Sequence, residues 1–309
     1  MSNKHQAWGW MLAVDFFFAG MGGAMLVIAG IASLFLGNGY ISLAGNIVGP
    51  LAMCVGCGFL ILELGRPLQG WRVFMNPKAI LTFGAWMMTF AIISGFVFAS
   101  FDINFELFFW RDWGFLHSLL AIINIITGLV VATYPGVLLA RHKGRPFWVG
   151  PGIMGLFLLS SLVTAFAGHY LCGLISATQE SAQLWGNIPA ILSALLLVQA
   201  IMWIGYLWIK RTGTSKVEAN SAQRWINGNL SFQFKVVFLL LGTLAPLVIA
   251  LIPSAIAGGI AAVLALVGGV TMRLITVSSG TDRTMLPGEL KYRSRLPQGD
   301  EKFLRKAWF

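Results

Sequence analysis

The chain has 309 residues, of which 57% are hydrophobic and only 10% charged. A soluble domain usually carries about 25% charge, so a water-solvated globule is excluded: there is more apolar side chain than its interior could hide. The net charge of +10 would suit a nucleic-acid binder, but the basic residues fall in loops between long apolar runs. Three cysteines (Cys54, Cys57 and Cys172) are too few for a disulfide framework, and Cys54-x-x-Cys57 lies inside an apolar run without a second pair. Their expected role is packing.

The first apolar run outlasts a signal-peptide core and ends in no small-residue cleavage site, so it is expected to be a retained helix. A spanning helix needs about 20 apolar residues. Eight stretches qualify: 10–36, 44–64, 80–100, 113–140, 148–170, 184–209, 234–252 and 255–277. The fold class is therefore all-α, polytopic, with eight transmembrane helices, the last two joined by a turn at Pro253–Ser254. Trp8, Trp10, Trp71, Trp110, Trp113, Trp148, Trp185 and Trp208 mark the ends of runs, as an interfacial aromatic belt does. Gly20, Gly22, Gly23 and Ala24 predict a tight crossing in the first helix.

With eight helices both termini share a side. That side holds 19 of the 21 Lys and Arg residues; Arg111 alone lies on the other and Arg273 within the last helix. Positive loops stay in the cytoplasm, so both termini are expected there, in a cell (inner) membrane. The basic tail 278–309 and the loop 210–233 read either as solvated segments near anionic lipid or as docking sites for a cytoplasmic partner.

Ionisable groups inside a membrane are costly and often functional. Asp15, Glu63 and Arg273 are the clear cases. Counting 1.5 Å per residue, they fall with Tyr134 in one shallow layer near the cytoplasmic interface, where a lipid-soluble substrate's headgroup could meet the protein. Each has a plainer reading. Arg273 could snorkel to headgroups, Glu63 could pair with Arg66 or Arg72, and Tyr134 could be an interfacial aromatic. A short carboxylate such as Asp15 cannot snorkel far. His5 and His142 lie in water or at the surface. His117 and His169 lie near the outer face and could clasp a b-haem between them; histidines without metal are the plainer reading.

The string Glu63-Leu64-Gly65-Arg66-Pro67, Trp71-Arg72, Asn76-Pro77 and Phe83-Gly84-Ala85-Trp86 resembles the membrane subunits of the polysulfide reductase family, the NrfD/PsrC-type quinone-interacting anchors. Asp15 before a Gly-rich stretch, Tyr134-Pro135-Gly136, and Gly268-Gly269 before Arg273 agree with it. The resemblance implies two four-helix bundles, near 1–141 and 148–277. It implies a four-cluster iron–sulfur partner, usually with a molybdopterin catalytic subunit, and exchange with menaquinone or ubiquinone without haem or metal in this protein. By motif match Asp15, Glu63 and Tyr134 would surround the quinone head, Asp15 and Glu63 as proton relays, with Arg66, Trp86 and Arg273 as further contacts. The charge bias puts the partner on the cytoplasmic side, beneath loops 65–79 and 141–147. A secondary transporter is the other class weighed; transporters place charged sites near the midplane, which these shallow groups do not match.

Overall fold

The computed structural model describes residues 9–36, 42–63, 67–76, 79–103, 110, 112–142, 144–176, 182–213 and 216–281. Arg66, His5, Arg111 and the basic tail from 282 onward lie outside them. In lipid every backbone N–H and C=O must be satisfied within the protein, which leaves helices as the local solution for apolar runs of this length. The described residues contain no strand. The elements are α1 (Trp10–Phe35), α2 (Leu43–Glu63), a 3₁₀ segment (Pro67–Met75), α3 (Ile80–Ser100), α4 (Gly114–Ala140), α5 (Pro151–Ser176), α6 (Ala182–Thr212), α7 (Lys216–Ile226), a π-helical segment (Gln233–Leu244), α8 (Ala245–Ile249), α9 (Ala255–Ser278) and a final 3₁₀ turn (Ser279–Thr281).

Seven of these helices are long and apolar enough to cross a membrane, one fewer than the sequence predicts. The departure is at 234–252. Here the apolar helix Gln233–Ile249 runs for 17 residues, and its first 12 are wound as a π-helix. Even at α-helical rise, 17 residues reach only about 25 Å, short of a hydrocarbon core about 30 Å thick. Thr243 follows the wider winding, donating its hydroxyl proton to Phe238 O, five residues back.

Helix α1 is the most enclosed element, packed by α2, α4, α5 and α9. The expected tight crossing is there, and each glycine serves a different neighbour. Gly22 lies against the Gly49 carbonyl of α2, Gly23 against the Gly128 carbonyl of α4, and Gly20 against Ser161 of α5 and the Arg273 guanidinium of α9. At the α7 end of the molecule, Lys210 Nζ donates to Pro146 O and Val149 O and pairs with Glu218 at 2.9 Å. Beside it Phe147, Trp203, Trp225 and Phe238 form one aromatic cluster.

Where α3 ends, Asn46 Nδ2 of α2 donates to Asp102 Oδ2 at 2.7 Å. Burial pushes the Asp102 carboxyl from its ordinary 3.8 up to about 6, with the Asn46 hydrogen bond pulling the other way. An acid whose pKa is higher in the folded state favours folding most below its unfolded pKa. That advantage is lost as pH rises through the folded value. Asp102→Asn is therefore expected to remove a fall in Tm between pH 4 and pH 7 in detergent-solubilised protein. A Tm–pH curve unchanged by the substitution would assign that fall to other groups.

Candidate functional site

Helix α1 carries Asp15 inward, 4% exposed, at the level where α4 presents Tyr134. Both line one cavity of about 20 Å³, closed by Leu60 of α2 and by Leu81, Met87 and Met88 of α3. The walls are otherwise apolar. Asp15 Oδ1 and the Tyr134 hydroxyl are both buried without a protein hydrogen-bond partner. Such atoms are rare in folded proteins and mark a place for water, an ion or a ligand. A cavity of this size holds about one water.

Two small residues shape the site. A Cβ at Gly84 would come within 2.4 Å of the Tyr134 ring, so the phenol reaches the cavity only because α3 has no side chain there. Gly56 of α2 does the same for Asp15, where a Cβ would come within 3.1 Å of Oδ1.

Arg273 is fully buried, 0% exposed, so it does not snorkel. Its Nε donates to Phe16 O at 2.9 Å, Nη1 to Ser160 Oγ and Gly269 O at 3.0 Å, and Nη2 to Ser161 Oγ at 3.1 Å. The rings of Phe17 and Phe157 flank it at 5.5 and 5.8 Å. It does not line the cavity; it holds α1 by the residue next to Asp15. Ser160 and Ser161, which sequence reasoning misses, are the partners that make this possible. Adjacent hydroxyls in an apolar helix are the signal that could have found them.

Glu63 also lies elsewhere. Its Oε1 accepts the Gly9 backbone N–H at 2.7 Å, and Gly9 is the N-cap of α1. A carboxylate there satisfies an orphan amide and faces the positive end of the helix dipole. Gly9 precedes Asp15 by six residues, about 9 Å along the axis. Trp86 lies away from the cavity lining, 45% exposed, edge-on to Phe74 and stacked on Phe90. Of the residues singled out from sequence, the cavity thus gathers Asp15 and Tyr134.

The two histidines have different surroundings. His117 lies face to face with Phe98 at 4.8 Å. His169 shares Nε2 with Met25 O at 3.1 Å, and its Nδ1 abuts Gly45. Among the described residues no group of three or more His, Cys, Asp or Glu could hold a metal.

A cap and a relay respond differently to loss of charge. Glu63→Gln keeps an acceptor for Gly9 and is expected to cause only a small fall in Tm. Glu63→Ala is expected to cost about 1 kcal/mol of stability, read as a larger fall in Tm. Equal Tm values for Glu63→Gln and Glu63→Ala would show that the Gly9 contact does not stabilise α1.

The family model described as "Polysulphide reductase, NrfD" matches residues 1–282. The C subunit of the polysulfide reductase of Wolinella succinogenes is 30% identical over 188 residues, covering 54% of this protein and 58% of that subunit. The aligned part therefore spans less than two thirds of the relative's length. With the family match running through every described helix, the chain belongs to the NrfD polysulphide reductase family.

Proposed function

We propose that the protein is the quinone-reactive membrane anchor of a multi-subunit oxidoreductase. It exchanges electrons and protons between a four-cluster iron–sulfur subunit, with a molybdopterin catalytic subunit beyond it, and the menaquinone or ubiquinone of the membrane. The observation that carries this reading is the meeting of Asp15 and Tyr134 on one apolar-walled cavity, each with a buried oxygen lacking a protein partner.

The chemistry of the pair suits a quinone. Its reduction takes up two electrons and two protons, and its carbonyl oxygens accept both hydrogen bonds and protons. The Tyr134 hydroxyl donates a hydrogen bond to one carbonyl oxygen, and the Asp15 carboxyl passes protons at the other. Apolar walls exclude bulk water from the exchange. A cavity of about 20 Å³ is smaller than a quinone ring, so the ring enters as a wall gives way. Met87 and Met88, unbranched and flexible, are the yielding part. Arg273 serves as a positioning residue through Phe16.

The same reading keeps eight crossings in two four-helix bundles, with Gln233–Ile249 a short seventh that local thinning of the bilayer accommodates. It puts both ends of the protein in the cytoplasm, from the 19 cations on that side against one on the other. The iron–sulfur subunit then docks beneath loops 65–79 and 141–147, at the Asp15 end. Leu68, 96% exposed, and the half-exposed Trp71 on the 3₁₀ segment support a docking surface there.

Asp15→Asn is expected to lower quinone turnover at least 100-fold while the complex still assembles. Tyr134→Phe, which loses one hydrogen bond of roughly 1 kcal/mol, is expected to raise the KM for quinone several-fold with a smaller effect on kcat. Wild-type turnover in Asp15→Asn would remove Asp15 from the mechanism. A purified protein that brings no iron–sulfur subunit would overturn the anchor reading.

A further inference from the structure

Quinone chemistry at Asp15 and Tyr134 takes up or releases protons, and these must travel to water. The opposite end of the same helices is unusually polar. There, four more buried polar atoms among the described residues lack a protein hydrogen-bond partner. They are Asn46 Oδ1 on α2, His117 Nε2 and Asn124 Nδ2 on α4, and His169 Nδ1 on α5. Asn46, Asn124 and His169 are at most 1% exposed. A network built only to hold helices satisfies its own members, as the bonds around Arg273 do. This one leaves an atom open on each of three helices, and such atoms mark a place for water.

The open atoms follow one another inward. Asp102 lies where α3 ends and accepts from Asn46; its carboxyl, which burial pushes up to about 6, exchanges a proton readily near neutral pH. His169 meets the same turn of α2, its Nδ1 against Gly45. His117 is partly exposed near the start of α4. Asn124 follows seven residues later, two turns along the same face and about 10 Å deeper. Its Oδ1 accepts from Ser94 of α3 at 2.7 Å, while its Nδ2 stays open. Asn124 is ten residues into α4, about 15 Å, which is the midplane of a core about 30 Å thick. Two prolines open the backbone along the way. Pro50 in α2 has no N–H for Asn46 O, and Pro135 in α4 has none for Val131 O, so each carbonyl loses its usual helical donor. From Asn124 to the cavity the path crosses one apolar cluster of Ala19, Leu26, Met53, Met88, Ala91 and Val131. Ala19, Met88 and Val131 of that cluster also line the cavity.

We propose that these groups order a file of water linking the Asp15–Tyr134 cavity to the membrane face opposite the iron–sulfur subunit, so that the quinone exchanges its protons with that face. The inference rests on the anchor reading. In the reducing direction two electrons come from the iron–sulfur partner and two protons through the file, and two O–H bonds form on the quinone oxygens. Asp102 and His117 exchange protons with outer water, as carboxylates and histidines do in membrane relays. The amides of Asn46 and Asn124 carry no proton themselves; they orient the waters that do. Electrons and protons then meet the quinone from opposite sides, so turnover moves charge across the membrane.

Two readouts test this. The first needs no quinone. X-ray radiolysis of the purified full-length protein makes hydroxyl radicals from bound water, which oxidise adjacent methionines. Met53 of the crossed cluster and Met272 of the separate core around Trp148 are both 0% exposed. Met53 is expected to oxidise at least fivefold faster than Met272, and at the Met272 rate in Asn124→Leu. Equal rates in wild type would overturn the water file. The second uses the purified complex in vesicles with the iron–sulfur face outward and a pH dye in the lumen. Reduced methyl viologen, which releases no proton on oxidation, is the donor; decylubiquinone or a short-chain menaquinone is the acceptor. The lumen is expected to lose two protons per quinone reduced, and in Asn124→Leu this uptake and quinone reduction fall together at least fivefold. Proton uptake from the external medium alone would overturn the proposal and leave the anchor reading standing, whereas no quinone reduction at all would remove both. Should Asn124→Leu fail to fold, Pro50→Ala, which returns a helical donor to Asn46 O, replaces it with the same expected outcomes.

Discussion

A guanidinium in the middle of an apolar protein dictates much of this structure. Among the described residues no carboxylate pairs with Arg273; the one ion pair is Lys210–Glu218. Its charge is instead surrounded by four hydrogen bonds reaching three helices, to its own α9, to α5 and to α1. Hydrogen bonds to a charged group are worth on the order of 1.5–3 kcal/mol each, and in lipid no water competes for the donors. The cost of burying the ion is thereby offset only if all three helices stay in register. Gly20 is small because the guanidinium passes beside it, and Ser160 and Ser161 turn toward α9 because it needs acceptors there.

That arrangement ties the two halves of the protein together at one point. Phe16 O accepts a hydrogen bond from Arg273 Nε–H, and the preceding residue is Asp15. The late helices therefore set where the carboxyl of the first helix stands. The cavity itself is built by the first four helices, with Tyr134 admitted over Gly84 and Asp15 seated against Gly56.

The long spans and Asp15 are plain in the sequence, for physical reasons that also explain what it hides. Twenty-residue apolar runs have few other fates, and a carboxylate six residues into the first of them needs an inward reason. The π-wound segment Gln233–Leu244 reads as a full span because composition carries no sign of how tightly a helix winds. Glu63 reads with Arg66 or Arg72 as its ionic alternatives, but its partner is the Gly9 amide, and a backbone donor leaves no mark in a sequence. Trp86 enters with its motif string. A helix splits such a string: two residues beyond Gly84 is about 200° around the axis, so glycine meets Tyr134 while tryptophan turns outward. Arg273 has two fates, snorkelling or burial, and the choice lies in the Ser160-Ser161 pair on a helix more than 100 residues away.

The central claim is that a quinone headgroup reaches Asp15 and Tyr134 between α1, α3 and α4. Photo-crosslinking with an azidoquinone in native membranes, followed by peptide mapping, tests it most directly. Adducts are expected within Leu81–Met88 and Val130–Pro135, and excess unlabelled quinone should suppress them. Adducts confined to α6 or to Gln233–Leu244, with those two stretches unlabelled, would contradict the account.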